Sequence, residues 1–289
     1  MKSTVLTTFA TFAFAASVHA ETTAPLNLKV YNADKNSFSV TSTVVSGDTE
    51  ALVIDSGFTR ADALRIAANV LDSGKTLNTV LISNADPDFY FGAETLKQIF
   101  PQVKVVTTQA VHDRIKQKMA GKIAYWSPLM GNNAPKNPIL PEVLSNNSLT
   151  VDGQKIEILG TEGILAHRPY VWIPSIRTIS GNIGIFGDMH VWTADTQSAE
   201  ERAAWIQQLE EMKALKPTTV IPGHMSAEAK LDASAINFTQ AYLTRFESAV
   251  ADSQNSAQII ATMEKAYPNL HGKSNVELGA KVVSGEMKW

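Results

Sequence analysis

Residues 84–92 read Asn-Ala-Asp-Pro-Asp-Phe-Tyr-Phe-Gly and are the most informative stretch of this sequence. They follow the apolar run Thr79–Ile82, whose composition is typical of a buried β-strand. Another apolar run, Ala51–Ile54, ends in the same way, at Asp55-Ser56-Gly57. The strand ends of one sheet edge lie close together, so polar residues placed there often form the site of an α/β protein.

Apolar periodicity predicts strands that alternate with helices over the first two hundred residues. One helix has clear boundary signals: Thr59 and Asp62 have the spacing of a capping box, and Gly74 is a C-terminal stop. Asp152-Gly153 predicts a hairpin turn, whereas residues 121–147 hold four prolines and predict a loop. Helices are also predicted over 232–252, 256–266 and 275–283. The alternation indicates an α/β or α+β class with covered sheets.

Composition excludes several classes of protein. The chain has 289 residues, of which 44% are hydrophobic, enough to bury a large core. Its 25 basic and 28 acidic residues give a net charge of −3, which argues against a nucleic-acid-binding surface. The sequence has no cysteine, so a thiol nucleophile, a disulfide and a thiolate metal ligand are all excluded.

The first twenty residues differ from the rest of the chain. Lys2 is the only charged residue before Glu21, and the small, apolar stretch Val5–Val18 leads into His19-Ala20. This pattern predicts a signal peptide over residues 1–20, with a membrane anchor as the alternative. We therefore expect a periplasmic or secreted protein that makes no membrane contact after cleavage.

Four motifs follow one another along the chain: Leu-Val-Ile-Asp-Ser-Gly at 52–57, Asp-Pro-Asp-Phe-Tyr-Phe-Gly at 86–92, Phe-Gly-Asp at 186–188 and Ile-Pro-Gly-His at 221–224. In their order and approximate spacing, this sequence resembles the metallo-β-lactamase superfamily. The resemblance implies an α+β fold, a four-layer αββα sandwich with a metal site at one edge. Residues 21–231 would form this domain, and residues 232–289 a C-terminal helical extension packed on it.

The family's metal motif, His-x-His-x-Asp-His, is altered in this chain. Aligned on Asp88 and Gly92, the sequence reads Asn84-x-Asp86-x-Asp88-Phe89, so only the aspartate is kept. The resemblance also implies Asp188 as the bridging aspartate and His224 as the last histidine of the site. The implied metal ligands are Asp86, Asp88, Asp188 and His224, and Asp88 would also be the catalytic residue that orients water.

The altered ligand set is rich in oxygen and poor in nitrogen. Such a set suits Mg²⁺, Mn²⁺ or Ca²⁺ better than tetrahedral zinc. Crowded carboxylates repel one another unless a cation offsets their charge. We therefore expect one of two states: a divalent metal ion (Zn, Mn or Mg) is bound, or the site is metal-free and the pKa of a carboxyl group is raised.

Six further residues are candidates for supporting the site or lining its pocket. Asp55 could hold the ligand loop, and Glu162 stands near the position of a family histidine. Each candidate also has a simpler interpretation, since Asp-Pro-Asp is common in turns and at helix starts, and aromatic residues pack in cores. The six are Asp55, Asn84, Phe89, Trp126, Glu162 and Trp192.

Two functions from different classes remain open. The first is an exported hydrolase that uses metal-activated water on a small, apolar ester, lactone or amide, because no basic cluster adjoins the loops to hold phosphate. The second is a non-catalytic periplasmic protein that binds a small molecule and has lost the metal site. A third interpretation, redox chemistry at a single iron, has no specific support in the sequence, and the oligomeric state stays open.

Overall fold

The computed structural model describes residues 24–180 and 182–289. The predicted signal peptide, residues 1–20, lies outside the described residues. Within the described part of the chain, we find no helix with the length and apolar character that crossing a bilayer requires.

Two sheets form the centre of the protein. The first has the order β1 (Asn27–Asn32), β2 (Thr41–Ser46), β3 (Glu50–Ile54), β4 (Thr76–Leu81), β5 (Lys104–Thr107) and β6 (Glu142–Val143). The second has the order β12 (Thr219–Ile221), β10 (Thr178–Ser180), β9 (Tyr170–Ile173), β8 (Gln154–Leu159) and β7 (Ser148–Val151). A separate parallel pair joins β11 (Phe186–Gly187) to β13 (His224–Met225).

Helices cover the outer faces of both sheets. On the side of the first sheet lie α1 (Arg60–Ser73), α2 (Pro87–Tyr90), α3 (Ala93–Ile99) and α4 (Gln109–Met130). On the side of the second sheet lie α5 (Ala199–Ala214), α6 (Ser234–Ala251), α7 (Ser256–Ala266) and α8 (Lys273–Val283). Single 3₁₀ turns occupy Lys35–Ser37, Gly131–Asn133 and Pro174–Ile176.

The alternation of side chains along β3 shows how the layers are held together. Ala51 and Val53 point toward the cluster shared with α1, α3 and α4, whereas Leu52 and Ile54 point toward the second sheet. Ile156 of β8 belongs to the same inter-sheet cluster. Because successive side chains of a strand face opposite sides, this one short apolar strand packs both on the outer helices and on the second sheet. The predicted four-layer αββα fold is confirmed.

Local signals predict the structure correctly at several positions. Thr59 and Asp62 form both hydrogen bonds of the capping box at the start of α1, and Gly74 ends that helix with a φ of 66°. Asp152 and Gly153 form the two-residue turn between β7 and β8, both with positive φ. These features depend only on neighbouring residues, so the sequence specifies them directly.

The predicted loop over residues 121–147 is wrong at its start, because α4 continues to Met130 and includes Pro128. A proline inside a helix costs about 3 kcal/mol. The apolar face of this last part of α4 offsets that cost, since Ile123 and Trp126 pack on the core cluster of the first sheet. The extension matters for the site, because it carries Lys122 toward the loop after β4.

Position 92, at the end of the loop after β4, has no room for a side chain, so it requires glycine. A Cβ atom added there would overlap the carbonyl oxygen of Ser56 and lie 2.9 Å from Cβ of Ala63. Gly121 in α4 has open space around it. We predict that Gly92→Ala lowers the free energy of unfolding by about 3 kcal/mol, whereas Gly121→Ala raises it by up to about 1 kcal/mol.

Urea denaturation of both variants measures this difference. An unchanged stability in Gly92→Ala would show that the loop does not pack on Ser56 as described.

Candidate active site

The ends of β4, β11 and β13 bring the key residues together. His224 begins β13 and lies opposite Phe186 of β11 in the parallel pair. The loop after β4 holds Asp88 in the short helix α2, and its side chain reaches His224. The distance between His224 Nε2 and Asp88 Oδ2 is 3.4 Å, and both side chains are buried. The structure therefore joins two of the predicted site residues in one contact.

The hydrogen bond of the other ring nitrogen of His224 fixes the tautomer of the imidazole. Nδ1 lies 2.9 Å from the backbone carbonyl oxygen of Phe38. A carbonyl oxygen only accepts hydrogen bonds, so Nδ1 carries a hydrogen, and in the neutral ring Nε2 presents its lone pair to Asp88. Phe38 and the next residue, Ser39, have φ values of 57° and 55°, a conformation that L residues rarely adopt. Backbone strain of this kind is common at functional sites.

Two aromatic rings hold the imidazole in place. Phe186 stacks on the ring of His224 at 5.2 Å between centroids, and Phe89 meets it edge to face at 5.4 Å. This apolar packing removes the pair from water. Burial lowers the pKa of His224 to about 4 and raises the pKa of Asp88 to about 7. Both shifts favour a neutral pair, in which the Asp88 carboxyl holds the proton that faces Nε2.

Asp86 lies beside this pair and faces a cation. Its Oδ1 is 3.6 Å from Nζ of Lys122, and its side chain is one-fifth exposed. Burial raises the pKa of Asp86, as do the charges of Asp195 and Asp88, and the two lysines Lys122 and Lys118 oppose this shift. The side chain of Asn84 accepts a hydrogen bond from the backbone N–H of Asp86 at 2.9 Å. Asn84 therefore shapes the loop that presents Asp86.

Asp55 anchors the start of the same loop. It is buried, with a φ of 62°, and its two carboxylate oxygens accept hydrogen bonds from the backbone N–H and the hydroxyl of Ser83, each at 2.7 Å. Burial raises the pKa of Asp55 to about 7. The contact ties the end of β3 to the end of β4, so it sets where the loop begins.

Asp195 is a site residue that the sequence analysis missed. Its carboxylate accepts hydrogen bonds from the indole N–H of Trp192 at 2.6 Å and of Trp289 at 3.0 Å. Burial alone would raise the pKa of Asp195, but the two indoles, helped by Arg168 and Lys118, outweigh it and the pKa lies below its ordinary value. Asp195 is therefore charged near neutral pH and adds a negative charge close to Asp86. Trp289 is 94 positions away in sequence, so no local pattern indicates this contact.

Arg168 is the other buried charge that the sequence did not reveal. It is 1% exposed, and its guanidinium lies 4.3 Å from the centroid of the Trp205 ring. One of its N–H groups donates to the carbonyl of Ile183 at 3.1 Å. Its positive charge acts on both Asp195 and Asp86. A buried arginine stays charged in proteins, so it offsets part of the negative charge at this edge.

Three predicted site residues lie away from the Asp88–His224 pair. Asp188 has a φ of 50°, and its exposed side chain borders a separate cavity of about 400 Å³ with Glu228 and His271. Glu162 is also exposed and lines another surface hollow, so it is not placed as a substitute ligand. Trp126 packs on the rings of Phe58 and Phe38 instead.

Comparison with known proteins identifies the family. The sequence profile of the metallo-β-lactamase superfamily matches residues 36–224. The chain belongs to the metallo-β-lactamase superfamily. Membership suggests a hydrolase, and members of this superfamily typically bind divalent metal ions, usually zinc. No curated protein sequence matches the chain significantly.

Solved structures of metallo-β-lactamases share this fold at low identity. A metallo-β-lactamase from Pontibacter korlensis is 15% identical, with a TM-score of 0.54, over 78% of this chain and 97% of that one. A metallo-β-lactamase family protein from Thermus thermophilus is also 15% identical, with a TM-score of 0.61, over 90% and 91%. A metallo-β-lactamase from Hirschia baltica is 13% identical, with a TM-score of 0.51, over 76% and 98%. These likenesses show the fold alone.

The side chains of this superfamily member do not fit the family's metal centre. Within residues 24–180 and 182–289, no three His, Asp or Glu side chains lie close enough together to hold an ion. Asp88 and His224 meet, but Asp86 faces the ammonium group of Lys122 and Asp188 points elsewhere. The predicted set of four ligands is thus not assembled, and one imidazole is too few for a two-zinc centre of the usual kind.

The buried carboxyl group of Asp55 gives a prediction about pH. Because burial raises its pKa from 3.8 to about 7, the folded protein holds this proton more tightly than the unfolded chain. The stability that this proton provides is full below pH 3.8 and is lost as the pH rises through 7. We therefore expect the free energy of unfolding of the wild type, relative to Asp55→Asn, to fall by up to about 4 kcal/mol between about pH 4 and pH 8.

Urea denaturation over this pH range measures the effect, because asparagine can keep both contacts with Ser83. Asp72→Asn, at an exposed position of α1, is the matched control. A constant difference between wild type and Asp55→Asn at every pH would contradict the raised pKa.

Proposed function

We propose that this chain is a hydrolase of a small, apolar ester, lactone or amide, and that Asp88 and His224 perform its proton transfers. The observation that supports the proposal is the buried contact between Asp88 Oδ2 and His224 Nε2, with Nδ1 held by the carbonyl of Phe38. An acid and a base that are in contact in a fixed geometry can take up one proton, share it and return it within one reaction. The superfamily's site lies at the same edge of the fold, which supports this placement.

The Asp88–His224 pair can act as a general base when Asp88 is ionised and the pair carries one negative charge. As water attacks the carbonyl carbon, the C=O π electrons move to the carbonyl oxygen and one water proton passes to the Asp88–His224 pair. The electrons on that oxygen then re-form the C=O bond as the C–O or C–N bond breaks, and the pair returns the proton to the departing oxygen or nitrogen. The products are a carboxylic acid and an alcohol or amine, and the pair recovers its charge. No step passes through a metal ion, because the side chains present do not fit one.

An apolar substrate is supported by the surface next to His224. Phe38, whose carbonyl holds the imidazole, is a residue that is 39% exposed. Its ring lies 5.1 Å from that of Phe58 and 5.6 Å from that of Trp126. These three rings form an aromatic group that is connected to the pair through the backbone of Phe38, and aromatic faces favour apolar ligand groups.

Export to the periplasm or the medium is part of the proposal, and its support is the pattern of residues 1–20 alone. Fractionation of cells that produce the full chain tests it. Accumulation of the uncleaved chain in the cytoplasm would contradict export.

The reaction is tested with a panel of nitrophenyl esters, lactones and anilides. We predict that Asp88→Asn and His224→Gln each lower kcat on the best substrate by at least about 100-fold, the contribution of one general acid–base group. His112→Gln is the matched control, because its Nδ1 also contacts a backbone carbonyl, that of Pro141, at 2.7 Å. We expect this control to keep wild-type turnover.

Wild-type turnover in Asp88→Asn or His224→Gln would remove the pair from the mechanism. An absence of turnover by the wild type over the whole panel, together with a melting temperature raised by apolar ligands, would instead support a non-catalytic binding protein.

A further inference from the structure

Lys122 occupies a special position in the site. It lies on the part of α4 that runs past the predicted end of the helix, and its Nζ is 3.6 Å from Asp86 Oδ1. Both side chains are only about one-fifth exposed, at 22% and 20%. Lys118 lies one turn earlier, a spacing that places both lysines on the same side of the helix. The Lys122 ammonium also lies 5.8 Å from the centroid of the Trp289 ring.

Negative charge is concentrated where this ammonium lies. Asp195 is charged near neutral pH, and Asp88 adds a second negative charge when it loses its proton; both charges act on Asp86. Carboxylates that are close together and shielded from water repel one another strongly unless a positive group lies between or beside them. In other metal-binding sites of oxygen ligands, that positive group is the ion itself. Here the chain supplies cations of its own, since Lys122 lies beside Asp86 and Lys118 and Arg168 lie nearby. The expectation from the sequence that no basic cluster adjoins these loops is therefore wrong.

We propose that the ammonium group of Lys122 is a built-in counter-cation, which replaces a bound metal ion in this site and positions Asp86. Its charge offsets that of Asp86 and so weakens the attraction of this edge for a divalent cation. Lys122 is thus a positioning residue that acts through Asp86, and it disfavours metal binding there. The inference goes beyond the proposed hydrolysis, because it concerns only how the charge of Asp86 is compensated by Lys122. It is tested without any substrate.

The test compares the metal affinity of charged and neutral side chains at position 122. The untagged wild type, Lys122→Arg, Lys122→Met and Lys116→Met are each titrated with MnCl₂ and, separately, with ZnCl₂ in a calorimeter. Lys116 is the matched control because it is exposed on the same helix. We expect no stoichiometric binding by the wild type, Lys122→Arg or Lys116→Met. Lys122→Met should bind either ion at least about tenfold more tightly than the wild type, because Asp86 lacks its counter-charge.

Stoichiometric metal binding by the wild type would overturn the proposal, and so would a Lys122→Met variant whose metal affinity equals that of the wild type. Neither result depends on turnover, so failure of this inference is distinguishable from failure of the proposed hydrolysis.

If Lys122→Met is too unstable to titrate with metal, a double-mutant cycle based on the free energy of unfolding replaces the titration. The loss of free energy of unfolding caused by Lys122→Met should be clearly smaller in an Asp86→Asn background, where no charge needs to be neutralised. An equal loss in both backgrounds would show that Lys122 does not act through Asp86 and would overturn the proposal.

Discussion

The hydrogen bond from His224 Nδ1 to the carbonyl of Phe38 is the constraint on which the site depends. It fixes the hydrogen on Nδ1, so Nε2 faces Asp88 with a lone pair. The backbone at Phe38 and Ser39 has positive φ values next to this contact, and Phe186 and Phe89 hold the ring in that orientation. Without this hydrogen bond, the imidazole ring could rotate, and the nitrogen that faces Asp88 would no longer be fixed as the one without a hydrogen.

The rest of the molecule supplies the framework and the charge balance for this contact. Asp55 fixes the start of the loop after β4, and Gly92 lets the end of that loop pack on Ser56. Helix α4 brings Lys122 to Asp86, and the two indoles of Trp192 and Trp289 hold Asp195. Under the proposal made above, side chains of both charges take the place of the family's metal ions at this edge of the sandwich.

The sequence predicts what depends on neighbouring residues and on order along the chain. The capping box at Thr59 and the apolar run Ala51–Ile54 are local signals, so the helix and the strand were predictable from them. The four-layer arrangement was predicted from the order of the four motifs that resemble those of the superfamily. Asp88 and His224 were found because each follows a strand in the family's order. Lys122 was missed because Pro128 suggested a loop, whereas burial of Trp126 extends the helix.

Other parts of the site depend on distant contacts that no spacing reveals. Asp195 gains its role through the indole of Trp289, 94 positions away. Asp188 matches the family in sequence, but its backbone, with a φ of 50°, leaves the side chain exposed beside another cavity.

The central claim is that His224 is neutral, protonated on Nδ1 and free of metal. Nitrogen-15 NMR of histidine-labelled protein, with His224→Gln for assignment, tests it most directly at neutral pH. We expect Nδ1 to show the shift of a protonated nitrogen and Nε2 that of an unprotonated one, unchanged by added Zn²⁺; a proton on Nε2 alone, or a Zn²⁺-induced shift of Nε2, would contradict the account.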